Sequence, residues 1–259
     1  MFITNSRISD LNNIDFEKFY HIIEAHDNFV ITTHVNPDGD AIGSEMALYH
    51  FIKSYKKQVK VINYNSTPKY YRFLDPKGVI EVFAGNHEEF FQNTDVIFFI
   101  DLNELSRVKT IAPAAEKSKA LKVIIDHHQP NHKFADLEFS DVEASSTGEI
   151  IYKLIAHSDN KIINKDIAVS LYAAIMTDTQ SFRLPRSTAE VYRIAADLID
   201  KGANPSEIYR NIYEINDPGR FYLLSETLSN MTSIEDGRII YFIVRQDMFE
   251  RTKTMEPDV

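Results

Sequence analysis

At 259 residues, with 44% hydrophobic and 25% charged side chains, the chain can bury one large or two modest cores. It has no cysteine, which excludes a disulfide scaffold, a cysteine nucleophile and thiolate-ligated zinc or iron–sulfur centres. A net charge of −10 speaks against a general duplex-DNA binder, which presents a basic face, but not against a small anionic substrate at a cation-loaded site.

The opening stretch MFITNSRISDLNN lacks a basic region followed by an apolar core, and the longest apolar runs are of strand length. A cytoplasmic protein with no membrane partner is expected. Apolar residues at helical spacing follow in 15–26, and NFVITTHV (28–35) reads as a buried strand. A second helix over 40–55 and a second strand over 58–64 come next. After a mixed segment come a strand at 95–102, a polar helix near 112–118 and a strand at 120–128. Short, continuously apolar strands separated by helices predict an α/β fold, a parallel sheet with helices on both faces.

SSTGEIIYKLIAH (145–157) opens with Ser146 and Glu149 at capping-box spacing, and 164–179 is a further apolar helix. SFRLPRSTAE (181–190) interrupts the pattern, so a first domain is expected over 1–186. Beyond it, 187–259 reads as linker helices and the start of a smaller α/β domain. Those helices cover AEVYRIAADLIDKG, PSEIYRNIYEI and RFYLLSETLSN, and a hairpin closes around the turn DG at 236–237. The final segment completes no obvious element.

Ligands of an open parallel sheet bind beyond the carboxyl ends of its strands. Three of the predicted strands end in metal-binding side chains: His34 with Asp38 and Asp40, then Asp101, then Asp126, His127 and His128. Asp178 ends an apolar helix. Singly, each has an ordinary structural explanation. An Asp after a strand usually forms a turn or caps a helix, as Asp40 would for helix 40–55, and either His could be a core residue. Together, four segments supply donors suited to hard or borderline divalent cations. Two cations roughly 3.5–4 Å apart, bridged by a carboxylate, would support in-line phosphoryl displacement. Mixed His and Asp donors favour manganese, with Mg2+, Co2+ or Zn2+ as substitutes.

The segments HVNPDGDAIGS, DLNELSRV after Asp101, DHH at 126–128 and TDTQSF around Asp178 together resemble the DHH phosphoesterase family, in its order, over residues 30–182. The wording PDGDAIGS resembles its nanoRNase and 3′-phosphoadenosine-5′-phosphate phosphatase (NrnA-like) branch more than its manganese pyrophosphatase branch.

The resemblance implies one Mn2+ held by His34, Asp38 and Asp101, and a second held by Asp40, Asp101, His127 and Asp178. Asp101 would bridge them, and a metal-bound hydroxide would be the nucleophile. His128 would face the phosphate and help protonate the leaving oxygen, with Asp126 orienting a neighbouring His. Arg107 is a candidate phosphate contact. Ser146 and Thr147 are candidate substrate contacts or, alternatively, caps of the following helix.

The resemblance further implies a hydrolase with nucleic-acid substrates: an exonuclease for short oligoribonucleotides that also acts on 3′-phosphoadenosine-5′-phosphate, with a homodimer as one open assembly. Pyrophosphate or linear products of cyclic dinucleotides are the alternative substrates, and a metal-binding module without robust activity the alternative role. The family's glycine-rich GGGH segment is absent from these 259 residues, which hold eight glycines in all.

Overall fold

In this computed structural model, residues 15–129, 134–214 and 218–254 are described. The opening stretch read for a leader, the last residue of the helix expected over 205–215 and the final residues 255–259 lie outside them. Two compact units divide at Tyr209 and Arg210.

In the first unit Asp15 caps α1 (Phe16–Ala25) by accepting from the Lys18 N–H. Strand β1 (Asn28–Thr33) leads into α2 (Gly39–Ser54), then β2 (Gln58–Asn63), β3 (Ile80–Val82), α3 (Glu88–Asn93) and β4 (Val96–Ile100). Helix α4 (Ala112–Lys117), β5 (Leu121–Asp126), β6 (Leu137–Ser140), α5 (Thr147–Asp159) and α6 (Lys165–Asp178) follow, with α7 (Ala189–Asp200) and α8 (Pro205–Tyr209) closing the unit. The six strands form one parallel sheet in the order β3-β2-β1-β4-β5-β6. The order reverses between β1 and β4, which makes the carboxyl ends of those strands the natural crevice.

The β4 run VIFFI is buried throughout because helices cover both faces of the sheet. Phe98 points to one face, where it meets Phe19 of α1 and Phe29. Ile97 and Phe99 point to the other, in a cluster with Val30, Phe91, Ala115 and Ile124. The alternation is the two-residue period of a strand, with both sides apolar.

Helices α2, α5 and α6 meet at Ala174. A Cβ on Gly43 would lie 2.5 Å from the Ser170 carbonyl and 2.9 Å from the Ala174 Cβ, and one on Gly148 would lie 2.6 Å from that same Ala174 Cβ. Glycine is required at both positions for the three helices to approach this closely.

The helices and strands expected up to residue 179 form within two residues of their expected ends. Two strands and one α-helix of the first unit were not anticipated: β3, β6 and α3 are short, and LEFS of β6 carries no run of apolar residues. The first unit also extends past 186, because α7 packs on α5 and α6. The helix expected over 205–215 is α-helical only through Tyr209 and continues as a π-helical turn over Arg210–Glu214.

The second unit holds α9 (Pro218–Ser229), the antiparallel pair β7 (Thr232–Ile234) and β8 (Ile239–Tyr241), and α10 (Gln246–Thr252), which had not been expected. No helix among the described residues is long and apolar enough to cross a membrane.

Candidate metal centre

Thr33 and Ile100 are paired in register, so His34 and Asp101 each stand one residue past the ends of β1 and β4. Asp101 adopts a left-handed backbone (φ 59°), unusual for a non-glycine residue, and its N–H donates to the Ile125 carbonyl of β5 at 3.0 Å. Its two oxygens face different histidines. Oδ2 lies 3.4 Å from His34 Nε2, and Oδ1 lies 3.7 Å from His127 Nε2.

Three sets of donor atoms lie within 4.8 Å of one another: His34 with Asp38 and Asp101, Asp40 with His127 and Asp178, and Asp101 with His127 and His128. His34 Nδ1 sits 2.9 Å from the Val35 carbonyl, the bond of an Nδ1–H tautomer that leaves Nε2 free as a donor to a cation. His127 Nε2 is 3.5 Å from Asp178 Oδ2 and 3.8 Å from Asp40 Oδ2. Its Nδ1 is buried and has no hydrogen-bond partner among the described residues.

Asp38 caps α2, its Oδ1 accepting from the Ala41 N–H at 3.0 Å. The cap is thus Asp38 and not Asp40, the residue to which the capping explanation had been attached. Asp40 lies in the first turn of α2 and serves another helix. It accepts from the N–H groups of Thr147 (2.7 Å) and Gly148 (2.9 Å) at the start of α5, and from Ser44 Oγ (3.1 Å). An anion at a helix N-terminus satisfies donors that the helix itself leaves unpaired.

Crowding of carboxylates shapes the electrostatics. Burial, followed by the charges of Asp101, Asp178 and Asp38, holds the Asp40 carboxyl well above its usual range. Burial also raises Asp178, and the nearby His127 opposes that rise. For His34, burial works against protonation, but the Asp101 hydrogen bond and charge outweigh it and the ring is raised. Among the described residues, the ion pairs of Asp40, Asp101 and Asp178 all run to histidines. Divalent cations would relieve this repulsion, so the donor set fits metal ions.

His128 is turned toward solvent, its side chain 43% exposed, with Nδ1 2.7 Å from Asp126 Oδ1. That bond raises its pKa, burial opposes it, and the Arg107 charge opposes it further. Arg107 is half-buried in a 3-10 segment (Leu105–Ile111) after β4, and its carbonyl accepts from the Val35 N–H at 2.8 Å.

Ser146 and Thr147 are fully buried. Ser146 Oγ caps α5 by accepting from the Glu149 N–H at 3.1 Å, and Thr147 Oγ1 donates to Asp101 Oδ1 at 2.9 Å. Both hydroxyls are engaged inside the protein, Ser146 in the capping role that was its alternative explanation. Only the reciprocal half of the capping box is shifted by one, because the Glu149 carboxylate accepts from the Ser145 N–H at 2.7 Å.

Sequence reasoning missed a polar layer beneath the site. Glu45 Oε2 accepts from Asn63 Nδ2 (2.8 Å), Asn63 Oδ1 from the Thr33 N–H (3.2 Å), and Thr33 Oγ1 donates to the Ile100 carbonyl (2.7 Å). Burial pushes the Glu45 carboxyl up to about 8; the Asn63 bond opposes this and the charges of Asp101 and Asp75 add to it. Glu45 lies among apolar residues of α2, and only its facing Asn63, distant in sequence, reveals its partner.

Residues 28–175 match the sequence profile of the DHH family, N-terminal domain. A Mycoplasma genitalium protein, uncharacterized protein MG371, is 34% identical over 202 residues, 76% of this chain and 59% of that protein. A Thermus thermophilus protein named bifunctional oligoribonuclease and PAP phosphatase NrnA is 31% identical over 210 residues, 81% of this chain and 61% of its own length. The chain thus spans about three fifths of the length of these relatives. The crystal structure of an exopolyphosphatase-related protein from Bacteroides fragilis aligns with a TM-score of 0.89 at 31% identity, over 94% of this chain and 73% of that one.

Proposed function

This chain belongs to the DHH family, and on that premise we propose that it is a two-metal phosphoesterase hydrolysing short oligoribonucleotides and 3′-phosphoadenosine-5′-phosphate. One observation carries the reading: Asp101 turns one oxygen toward His34 and the other toward His127, between the clusters His34–Asp38–Asp101 and Asp40–His127–Asp178. A carboxylate so placed suits a bridge between two cations. The oxygen and imidazole donors, with no thiolate, suit Mn2+ and leave Mg2+, Co2+ or Zn2+ as substitutes. When bound, two such ions would supply an activated water and neutralise charge on the phosphoryl oxygens.

The protein's own groups do the rest. Thr147, Gly148 and Ser44 fix both oxygens of Asp40, and Thr147 fixes Oδ1 of Asp101, so the carboxylates need little reorganisation. His128, held by Asp126, is the proposed donor of a hydrogen bond to a phosphate and of a proton to the leaving oxygen. Arg107 is the proposed phosphate contact. The nucleotide substrates are supported by the PDGDAIGS wording of the first motif and by the name of the Thermus thermophilus relative. The second unit is proposed as part of a substrate-binding domain.

The test offers a dinucleotide, 3′-phosphoadenosine-5′-phosphate and pyrophosphate in parallel to the purified protein with Mn2+. Release of mononucleotide and of inorganic phosphate from the first two is expected. Rapid pyrophosphate turnover with both nucleotides left intact would sink the substrate reading.

A further inference from the structure

Asp40 and Asp101 reach the site from different elements and belong to different donor clusters, yet one residue grips both. Thr147 donates its N–H to Asp40 Oδ2 at 2.7 Å and its hydroxyl to Asp101 Oδ1 at 2.9 Å. The position of Thr147 therefore sets how the two carboxylates stand to each other. Thr147 is the first residue of α5, so its own position depends on the turn before it.

Glu149 holds that turn twice. Its N–H donates to Ser146 Oγ at 3.1 Å, and its Oε2 accepts from the Ser145 N–H at 2.7 Å. Its other oxygen, Oε1, lies 2.6 Å from Lys153 Nζ, one helical turn further on, and Lys153 reaches Glu190 of α7 at 3.6 Å. Glu149 and Lys153 are both buried, with side chains 5% and 9% exposed. Desolvation makes such a pair a poor source of stability, and a well-packed apolar pair commonly folds as well. An apolar pair could not, however, supply an acceptor for the buried Ser145 N–H.

We propose that Glu149, its charge balanced by Lys153, is a positioning residue of the metal centre, holding the Ser145–Thr147 turn so that Thr147 grips Asp40 and Asp101 together. The proposal rests on the two-metal reading above. It assigns a site function to a residue that touches neither metal donor nor substrate. Its signature is a loss of cation affinity without a matching loss of fold.

The experiment is a calorimetric titration of the full chain with Mn2+, without substrate, alongside thermal denaturation. The double variant E149L/K153M removes charge and acceptor together and is expected to fold while binding Mn2+ about 10–100-fold more weakly. E149Q/K153M removes the charge but keeps an acceptor oxygen, and is expected to restore the parent's affinity.

Parent-like Mn2+ affinity in E149L/K153M would overturn the proposal. So would an equal loss in E149Q/K153M, the variant that decides the matter by itself if E149L/K153M does not fold. A parent chain that took up no Mn2+ would instead overturn the metal reading, and this proposal with it.

Discussion

His34 Nε2 stands 3.4 Å from Asp101 Oδ2, and each residue directly follows one of the paired Thr33 and Ile100. The sheet itself therefore brings together two donors that are far apart in the chain, at the point where the strand order reverses. Because the other oxygen of Asp101 faces His127, this carboxylate lies between the His34–Asp38 and Asp40–His127–Asp178 groups, where the proposed bridge would stand. Asp101→Asn keeps the shape and removes the charge. It is expected to weaken Mn2+ uptake at both positions by about a hundredfold, with activity lost in parallel. Two bound ions per chain in this variant, measured after gel filtration, would refute the shared role.

The outer donors are separable. Asp178→Ala touches only the cluster with Asp40 and His127, and His34→Ala only the one with Asp38 and Asp101. Each single variant is expected to lower the Mn2+ stoichiometry from two to one. A stoichiometry of two retained in both variants would mean that neither Asp178 nor His34 is a required metal ligand.

His128 is expected to act on substrate and not as a structural ligand, since its Nδ1 is committed to Asp126 and its side chain is 43% exposed. His128→Ala should keep its Mn2+ content and lose about 10²–10⁴-fold in turnover, the usual worth of a positioned proton donor. If the variant lost metal in proportion to activity, the role would have to be reassigned to ligation.

Gly148→Ala should cost about 1–3 kcal/mol, because its new methyl meets the Ala174 Cβ at 2.6 Å where α2, α5 and α6 converge. Ala174→Gly in the same chain should return part of that loss by vacating the contact. Denaturant midpoints of the two variants decide it: no recovery in the double variant would show that the strain lies elsewhere.

Glu45 makes stability depend on pH. Its carboxyl is raised in the folded chain, from 4.5 to about 8, so the folded state binds more protons and stability falls as pH rises between those values. The loss amounts to about 3 kcal/mol by pH 7 for this fully buried group. Glu45→Gln, which keeps an acceptor for Asn63, should flatten that slope and be more stable than the parent near pH 8. Identical slopes in urea unfolding from pH 5 to 8 would contradict the assignment.

Much of this was legible from local pattern. VIFFI and LKVIID are continuous apolar runs, and such runs mean strands buried on both faces whatever surrounds them. The four polar segments could be placed at element ends for the same reason, since a charge next to an apolar run has to sit where the run stops. The family resemblance rested on those segments alone.

What the local pattern could not hold is any property that depends on the partner across space. Asp40 looked like the cap of its own helix, yet that task falls to Asp38, while Asp40 satisfies the open N–H groups of α5. Ser146 and Thr147 left substrate contact and helix capping open; in the fold both are buried, Ser146 Oγ caps α5 and the Thr147 hydroxyl holds Asp101. β6 was invisible because a short edge strand gains its structure from its neighbour and not from its own residues. The kinds of donor are a matter of composition and spacing along the chain. Which oxygen meets which nitrogen is settled only when strand register and the close contact at Ala174 bring distant segments within hydrogen-bonding range.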